Sequence, residues 1–529
     1  MFTALGYALI LIILSEGFGQ TVMHRLRIRN EGFAAPAGAA VIFGIMELLF
    51  LPRMALNGSY HGVTGTVVLV LAIAFICVCV HFKDVFHSLF RARTIYVLLS
   101  ALLLMLLFRI CGSQFVFADD PELSLIGDNI RRAHIDLSPA RLQGYELFAG
   151  IVLRVLQGDF RGTALLLALF ANMITVMMIL DIIDSYRIGN PWFRFTLIFA
   201  MIFYSQFYSW KITGSFHGDN WEVIFIALML FITCQWLKTG DENIKYLLLP
   251  VTMAGYFTSS GFYMISVEII YCVFVYLFHI HKIRSLYDLT TILIPVMLYT
   301  SMWLTRYSSL AGEGLLLVYA ILLVARHRKN VYHRMIEIEN LLMDHSTKIF
   351  YITIPVIFLI GTFILRFFVP GYGFEYSHYI DYFSSKPISS YLFLNHDVID
   401  MILDVFRWGG LIVFLFRAFT KEECLMRSVF LGMVVFFINP LCTGMLSRIV
   451  GMEAYADAFE IVFNPFTDIM IFYWIYRQFE WTVIGQWILE LTLVFATLFG
   501  HAASYMNLHS GLYTDLINQE IQTREVNQP

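Results

Sequence analysis

Two adjacent carboxylates, Asp119 and Asp120, mark the stretch whose residue types could most readily do chemistry, FVFADDPELSLIGDNIRRAHID at positions 115–136. Arg131 and Arg132 follow in the same stretch. A carboxylate can accept a proton, and guanidinium groups beside it can stabilise an anion. This combination predicts proton abstraction next to an anionic substrate.

The two aspartates are not equivalent. Asp120 is followed by Pro121 and Glu122, an order typical of a helix start, with a capping side chain, a proline in the first helical position and an acid in the first turn. Capping alone would explain Asp120. Asp119 lies one residue outside that cap and has no local structural task, so we predict that Asp119 is the catalytic carboxylate and that Asp120 supports it.

A second stretch, WKITGSFHGDN at positions 210–220, contains Lys211, His217 and Asp219, which could converge beneath the acidic loop. Lys211 or His217 could then bind a phosphate, with Asp219 in the same substrate-binding set. A lysine presents a point charge to phosphate, and a histidine can also transfer protons. The alternative interpretation is a polar turn between two helix-end tryptophans, Trp210 and Trp221.

A third stretch, at positions 371–397, is rich in tyrosine and contains Glu375, His378 and Asp381. Aromatic faces and planar polar groups suit hydroxyl-bearing rings, so Glu375 and His378 are candidate substrate-binding residues. An aromatic belt at a membrane surface is the alternative. The three polar residues would share one face of a helix, but nothing in the sequence completes a metal ligand set around them.

The composition predicts the kind of fold that holds these three stretches in position. Of 529 residues, 59% are hydrophobic and 14% are charged, whereas soluble domains carry about 25% charged residues. Many apolar runs reach the length that crosses a bilayer, so we predict an all-α, polytopic transmembrane helix bundle of about 14 to 16 crossings. The net charge of −4 indicates no nucleic-acid partner. The seven cysteines include no CxxC pair and indicate neither a disulfide framework nor a zinc site.

Basic residues predict which helix ends face the cytoplasm, because Lys and Arg accumulate there. The first apolar run, 2–14, has no basic residue before it and is followed by Arg25, Arg27 and Arg29, which places the N-terminus outside. Alternating sides from there groups the other basic clusters on the same cytoplasmic face. These clusters are Lys83/Arg91/Arg93, Lys282/Arg284, Arg326/Arg328/Lys329/Arg334 and Arg417/Lys421/Arg427. All three candidate stretches then lie outside.

Amphipathic helices are predicted within the long external loop 111–161. Leu123, Ile126, Ile130 and Leu137 recur at helical spacing, which predicts a helix lying in the outer interface. A second helix is predicted over 139–157. Its apolar side comprises Leu142, Tyr145, Phe148, Ile151, Val152 and Val155.

The chain divides into four predicted parts. N-terminal transmembrane helices occupy 1–93, and a module carrying the acidic loop occupies 94–325. A cytoplasmic amphipathic connector follows at 326–348, with Val331, Ile336, Ile338, Leu341 and Leu342 on one side. C-terminal transmembrane helices with the external loop 370–398 occupy 349–529.

Several polar residues interrupt the apolar runs. Asp404 and Arg407, three residues apart, could form an internal ion pair, whereas Glu268 has no partner nearby in sequence. Asn439-Pro440 and Asn464-Pro465 predict helix breaks.

An external acidic pair after an apolar helix, followed by interfacial helices and many short-loop transmembrane helices, resembles the GT-C type of membrane glycosyltransferase. The resemblance covers about residues 94–325. In familiar members the acidic loop follows the first transmembrane helix, whereas here it follows the fourth, so 1–93 would be an N-terminal addition.

The resemblance implies a sugar donor carried on a polyprenyl phosphate or diphosphate and a glycan, lipid or protein acceptor. It implies that Asp119 or Asp120 engages the acceptor or a metal, for which a divalent cation such as Mg²⁺ or Mn²⁺ is the expected cofactor. It also implies that cationic residues hold the lipid phosphate. The expected location is the cell membrane, of the bacterial plasma-membrane type.

Three other functions fit parts of the pattern. A transporter or flippase for lipid-linked glycans would place charged groups deep in the bundle. A polysaccharide polymerase would share the substrate class. A scaffold or sensor without catalysis would tolerate replacement of the outer carboxylates.

Overall fold

The computed structural model describes a bundle of helices. The described residues are 2–28, 33–55, 60–90, 94–111, 144–157, 159–204, 218–259, 261–305, 308–368, 398–432, 435, 464–479 and 482–496. Helices account for 89% of these residues, and no strand occurs among them. The predicted all-α fold is confirmed.

The helices are numbered in chain order. They are α1 Phe2–Leu26, α2 Ala34–Ala55, α3 Tyr60–Val80, α4 Phe82–Leu89, α5 Thr94–Cys111, α6 Gly144–Val155, α7 Phe160–Ser185, α8 Pro191–Tyr204, α9 Asp219–Thr239, α10 Leu248–Thr258, α11 Phe262–His279, α12 Ser285–Ile292, α13 Ile294–Thr305, α14 Ser309–Ala325, α15 Lys329–Asp344, α16 Ser346–Lys348, α17 Ile354–Phe368, α18 Val398–Arg417, α19 Lys421–Gly432, α20 Pro465–Gln478 and α21 Val483–Ala496. A 3₁₀ turn, Ile244–Leu247, precedes α10, and a π-helical turn, Ile349–Thr353, joins α16 to α17.

Within the described residues, 7 helices are long and apolar enough to cross a membrane, or up to 9 if two bent helix pairs each form one span. The chain is therefore an integral, multi-pass membrane protein. Several other apolar runs form shorter helices. The run at 246–257, for example, forms the 3₁₀ turn and the 11-residue helix α10, which is shorter than the roughly 20 residues needed to span the hydrocarbon core.

The centre of the bundle is α7, in which every residue of 163–183 is buried. It packs against α1, α2, α5 and α9. By contrast, only 11% of an apolar 18-residue window within 346–364, which includes most of α17, is buried. An apolar helix that is hardly covered by protein suits direct contact with lipid.

The first two helices pack at very short range. Gly19 lies against the backbone of Ala34, and Gly38 lies against the backbone of Ser15, so neither position has room for a side chain. Small residues let transmembrane helices approach closely and replace side-chain contacts with backbone packing. The alanine-rich start of α2 is buried in this contact.

Local residues explain where one inner helix ends and where another begins. α9 ends at Gly240, whose φ of +69° favours glycine. α20 begins at Pro465, where the Asn464 side chain accepts hydrogen bonds from the backbone N–H groups of Phe466 and Thr467. The helix break predicted at Asn464-Pro465 is confirmed, whereas Asn439-Pro440 lies outside the described residues.

The predicted connector forms helix α15, which bends by 97° away from α14. Its Glu339 and Met343 are buried, while Ile338 and Leu341 are exposed. The predicted helix is confirmed, and Leu342 of the predicted apolar side packs against the core, but Ile338 and Leu341 of that side do not. The reason is that the Glu339 carboxylate accepts the backbone N–H of Ser285 at 2.8 Å, which rotates that acidic residue inward.

Several predicted basic clusters meet at one end of the bundle. Lys282 lies over the ring of Trp236 at 3.8 Å, and Lys421 donates to the Leu237 carbonyl at 2.8 Å. Arg284 donates to the Tyr332 hydroxyl at 3.0 Å. We call the end of the bundle that contains these contacts the basic end.

Candidate functional site

The structure describes little of the predicted site directly. Asp119, Asp120, Arg131, Arg132, Lys211, His217, Glu375 and His378 all lie outside the described residues. Asp219 is the first residue of α9. The first predicted interfacial helix, around Leu123–Leu137, also lies outside the described residues. The candidate site is therefore built from the helices that flank the predicted loops.

Helix α6 follows the acidic stretch and confirms the second amphipathic helix. Its Tyr145, Phe148 and Ile151 are buried as predicted, and Val152 packs against the core. Val155, in contrast, is 65% exposed. The helix rests on α10, α7, α2 and α3, so the segment that follows Asp119 is docked on the transmembrane helices.

A cluster of seven aromatic rings holds α6 in place. The cluster centres on Phe43 of α2, whose ring centroid lies 4.8 to 6.3 Å from those of six other rings. These rings belong to Tyr145, Phe148, Phe170, Trp221, Phe225 and Phe257. We call this set the Phe43 cluster. Since its members come from five helices, it fixes α6 relative to the start of α9.

The Phe43 cluster contains a hydrogen bond between two of its own side chains. The Trp221 indole N–H donates to the Tyr145 hydroxyl at 3.2 Å. Burial raises the pKa of Tyr145, although this hydrogen bond lowers it in part. The hydroxyl therefore stays protonated well above neutral pH. Trp221 is fully buried, so it is not the interfacial anchor that the alternative interpretation expected.

The carboxyl group of Glu47 lies beside the start of α6. A methyl group added at Gly144 would come within 3.0 Å of the Glu47 Oε2 atom and within 2.5 Å of the Phe257 ring. Glu47 is fully buried, and neither of its oxygens has a hydrogen-bond partner within the described parts of the chain. A buried carboxyl without partners is costly and commonly marks a functional position in a membrane protein.

Helices α6 and α9 start at the same end of the bundle. Gly144 lies against Phe257, and Gly218 lies against the backbone of the next residue, Thr258, with no room for a side chain. Both helices therefore begin beside the last turn of α10. Since α9 runs from here towards Trp236 and Leu237, this end is opposite to the basic end.

The basic end contains a half-open cavity of about 450 Å³. Four cations line it: Arg187, Lys238, Lys421 and Arg477. The two lysines donate to helix-end carbonyls, Lys238 to Ser185 and Lys421 to Leu237, which is a structural task. Glu422 and Glu423 also line the cavity, and Lys238 lies 3.5 Å from Glu422, so the rim is not a purely cationic anion site. It also lies far along α9 from the Phe43 cluster.

One charged group inside an apolar run, Arg407, pairs with a residue distant in sequence. Arg407 pairs with Asp468 of α20 through two hydrogen bonds, of which the one from Nε to Oδ1 measures 2.7 Å. The side chain of Asp404, the predicted partner, lies outside the described residues. Glu268 is buried, and its two oxygens have no hydrogen-bond partner in the described residues.

Glu47 is the residue that sequence reasoning missed. The signal was present, because Glu47 is a carboxylate inside the apolar run 34–51, as Glu268 is inside its own run. Its position beside the acidic loop's downstream helix could not be read from the sequence.

No protein-family model matches the chain, and comparison with curated proteins gives no match. The fold and composition define the class as an integral, multi-pass α-helical membrane protein.

Proposed function

We propose that this membrane protein is a glycosyltransferase of the GT-C type. It transfers a sugar from a polyprenyl-(di)phosphate-linked donor to a glycan, lipid or protein acceptor on the extracytoplasmic face of the cell membrane, of the bacterial plasma-membrane type. The supporting observation is the common starting point of α6 and α9 beside Phe257 and Thr258. The stretches that precede these two helices in the chain carry the predicted acidic and basic groups, and we propose that these groups form one site.

The proposed reaction follows from the charges of those loops. An acceptor hydroxyl attacks the anomeric carbon, and the bond from that carbon to the phosphate oxygen breaks. Asp119 takes the hydroxyl proton, with Asp120 as support, or the pair holds a divalent cation such as Mg²⁺ or Mn²⁺. Arg131, Arg132, Lys211 and His217 neutralise the departing phosphate, because the anion forms fully only as the bond breaks.

The described residues add two features to this proposal. The Phe43 cluster is buried and apolar at the starts of α6 and α9, and an apolar surround strengthens the interactions of charges placed beside it. The Glu47 carboxyl at its edge is a third acidic group near the start of α6. Asp219, Glu375 and His378 are proposed to contact the sugar or the phosphate.

Sugar transfer by membranes that carry single-residue variants tests the assignment. Membranes with Asp119→Asn, supplied with pooled polyprenyl-linked sugars, are expected to lose transfer at unchanged protein abundance. Asp344→Asn is the matched control, since Asp344 is exposed at the end of α15, a helix tied to the basic end. Equal transfer by Asp119→Asn and the wild type would contradict the proposal.

A transporter or flippase for lipid-linked glycans is the second candidate, and a polymerase of such glycans shares the substrate class. Two buried carboxyl groups in membrane spans, Glu47 and Glu268, favour transport, because such groups mark ion or substrate pathways. A transporter would move the intact lipid-linked glycan across vesicle membranes without releasing polyprenyl phosphate. A glycosyltransferase would release it.

A further inference from the structure

Two histidines and one aspartate lie close together where the end of α1 meets the start of α4. His24 lies in the last turn of α1, His81 precedes α4, and Asp84 lies in the first turn of α4. The nitrogen and oxygen atoms that could bind a metal all lie within 4.8 Å of one another. The sequence places His24 more than fifty residues from the other two, so only the fold brings them together.

The distances fit an ion between the side chains better than direct hydrogen bonds. The Asp84 Oδ2 atom lies 3.6 Å from His24 Nε2 and 3.5 Å from His81 Nδ1. Hydrogen bonds in proteins measure about 2.7–3.2 Å. Zinc binds nitrogen and oxygen at about 2.0–2.2 Å, so two of its ligands in tetrahedral geometry stand roughly 3.4 Å apart.

The two imidazole rings are stacked, so one ring must turn for both nitrogens to face a single ion, and the exposed His24 side chain has room to do so. Their centroids lie 4.8 Å apart, with the planes inclined by 19°. The backbone holds His81 in place, because its N–H donates to the Cys77 carbonyl and its carbonyl accepts from Val85 N–H, each at 3.0 Å. Val85 is buried, which anchors α4 and with it Asp84.

We propose that His24, His81 and Asp84 bind a divalent transition-metal ion, with Zn²⁺ as the ion they suit best. Imidazole nitrogen and carboxylate oxygen are ordinary zinc ligands, and a site with three protein ligands leaves a position for water. His24 and Asp84 are more than half exposed, so water reaches the site. The bound ion links the end of α1 to the turn between α3 and α4.

Direct metal titration tests the site. The full-length protein is purified with a tag that contains no histidine, stripped with a chelator and reconstituted in lipid nanodiscs. Zn²⁺ is then titrated in competition with a chromophoric chelator, and Co²⁺ replaces it to report tetrahedral geometry by absorption. The expected result is one ion per chain in the wild type.

His24→Asn, His81→Asn and Asp84→Asn are each expected to weaken zinc binding about tenfold or more, since loss of even an outer-shell partner costs 10–100-fold. His87→Asn is the matched control, because His87 lies on α4, is exposed and does not belong to the cluster. It is expected to bind like the wild type.

The shift in Tm on addition of Zn²⁺ is a second measure of zinc binding, and it applies even if a variant binds detergent or lipid differently. Zn²⁺ is expected to raise the Tm of the wild type and of His87→Asn, because a ligand of the folded state stabilises it. The Tm of Asp84→Asn, the change least disruptive to packing, should not respond. Equal zinc affinity or an equal Tm shift in all variants would show adventitious binding only and would overturn the proposal.

Discussion

The indole N–H of Trp221 donates a hydrogen bond to the hydroxyl of Tyr145 at 3.2 Å, joining the start of α9 to the first turn of α6. Both side chains are fully buried. This bond links the two helices whose preceding loops carry the proposed catalytic and phosphate-binding groups. It is therefore a direct link between the two helices that follow the predicted acidic and basic stretches.

Loss of the Tyr145 hydroxyl should destabilise the protein. In Tyr145→Phe the buried Trp221 N–H loses its partner, which costs about 1–3 kcal/mol. We expect a lower Tm in detergent micelles, together with weaker sugar transfer, because α6 is less firmly held. Tyr7→Phe is the control, since Tyr7 lies exposed on α1 and should leave both unchanged. An unaltered Tm for Tyr145→Phe would show that the bond contributes nothing.

Replacement of Glu47 should lower sugar transfer without lowering the Tm. In Glu47→Gln no hydrogen bond seen in the described residues is lost, and a neutral amide of nearly the same shape takes the place of a buried carboxyl group that burial already keeps from carrying charge. We expect the Tm to be equal or higher, whereas sugar transfer falls because the site loses an acidic group.

Glu268→Gln is the matched control for Glu47→Gln, because Glu268 is another buried carboxyl without a hydrogen-bond partner in the described residues. It should keep transfer. If Glu268→Gln lost sugar transfer as fully as Glu47→Gln, the loss would not be specific to the carboxyl beside α6, and the role assigned to Glu47 would be contradicted.

The buried pair of Arg407 and Asp468 predicts an asymmetric mutational effect. Either Arg407→Met or Asp468→Leu alone leaves a buried charge without its partner and should cost about 3–5 kcal/mol. The double variant removes both charges and should be markedly more stable than either single variant. A double-mutant cycle on Tm or protein abundance measures this coupling, and strictly additive effects would contradict it.

A pH effect is expected from Glu242 at the basic end. Burial alone would raise its pKa, but the hydrogen bond from Lys245 at 2.7 Å and the charge of Lys282 hold the pKa below 4.5, its ordinary value. Its contribution to stability is therefore complete above that pH and is lost as the pH falls through the lowered pKa. The wild type should lose more Tm on acidification below pH 4.5 than Glu242→Gln, and parallel curves would refute this role.

Part of this architecture could be predicted from the sequence. The apolar runs predicted the all-α bundle because the bilayer imposes helices on them, and the spacing of Tyr145, Phe148 and Ile151 predicted the face that α6 buries. The amphipathic connector was predicted as a helix, but the contact between Glu339 and Ser285 that orients it was not.

Other features depended on contacts distant in sequence. The burial of Trp221 follows from the docking of α6, which no local pattern reveals. Arg407 binds Asp468, sixty-one positions along the chain, and Glu47 meets Gly144 only in the fold. The acidic and basic residues proposed for catalysis were identified by their types and topological position, and they stay predictions.

The central claim is tested most directly by product release from the purified protein. The wild type and Asp119→Asn are placed in lipid nanodiscs with a labelled polyprenyl-linked sugar pool and a mixture of membrane glycan and lipid acceptors. The wild type should form labelled acceptor and an equal amount of free polyprenyl phosphate carrier, and Asp119→Asn should form neither. Equal release by the two forms would contradict the role of Asp119, and absence of release from both would contradict glycosyl transfer.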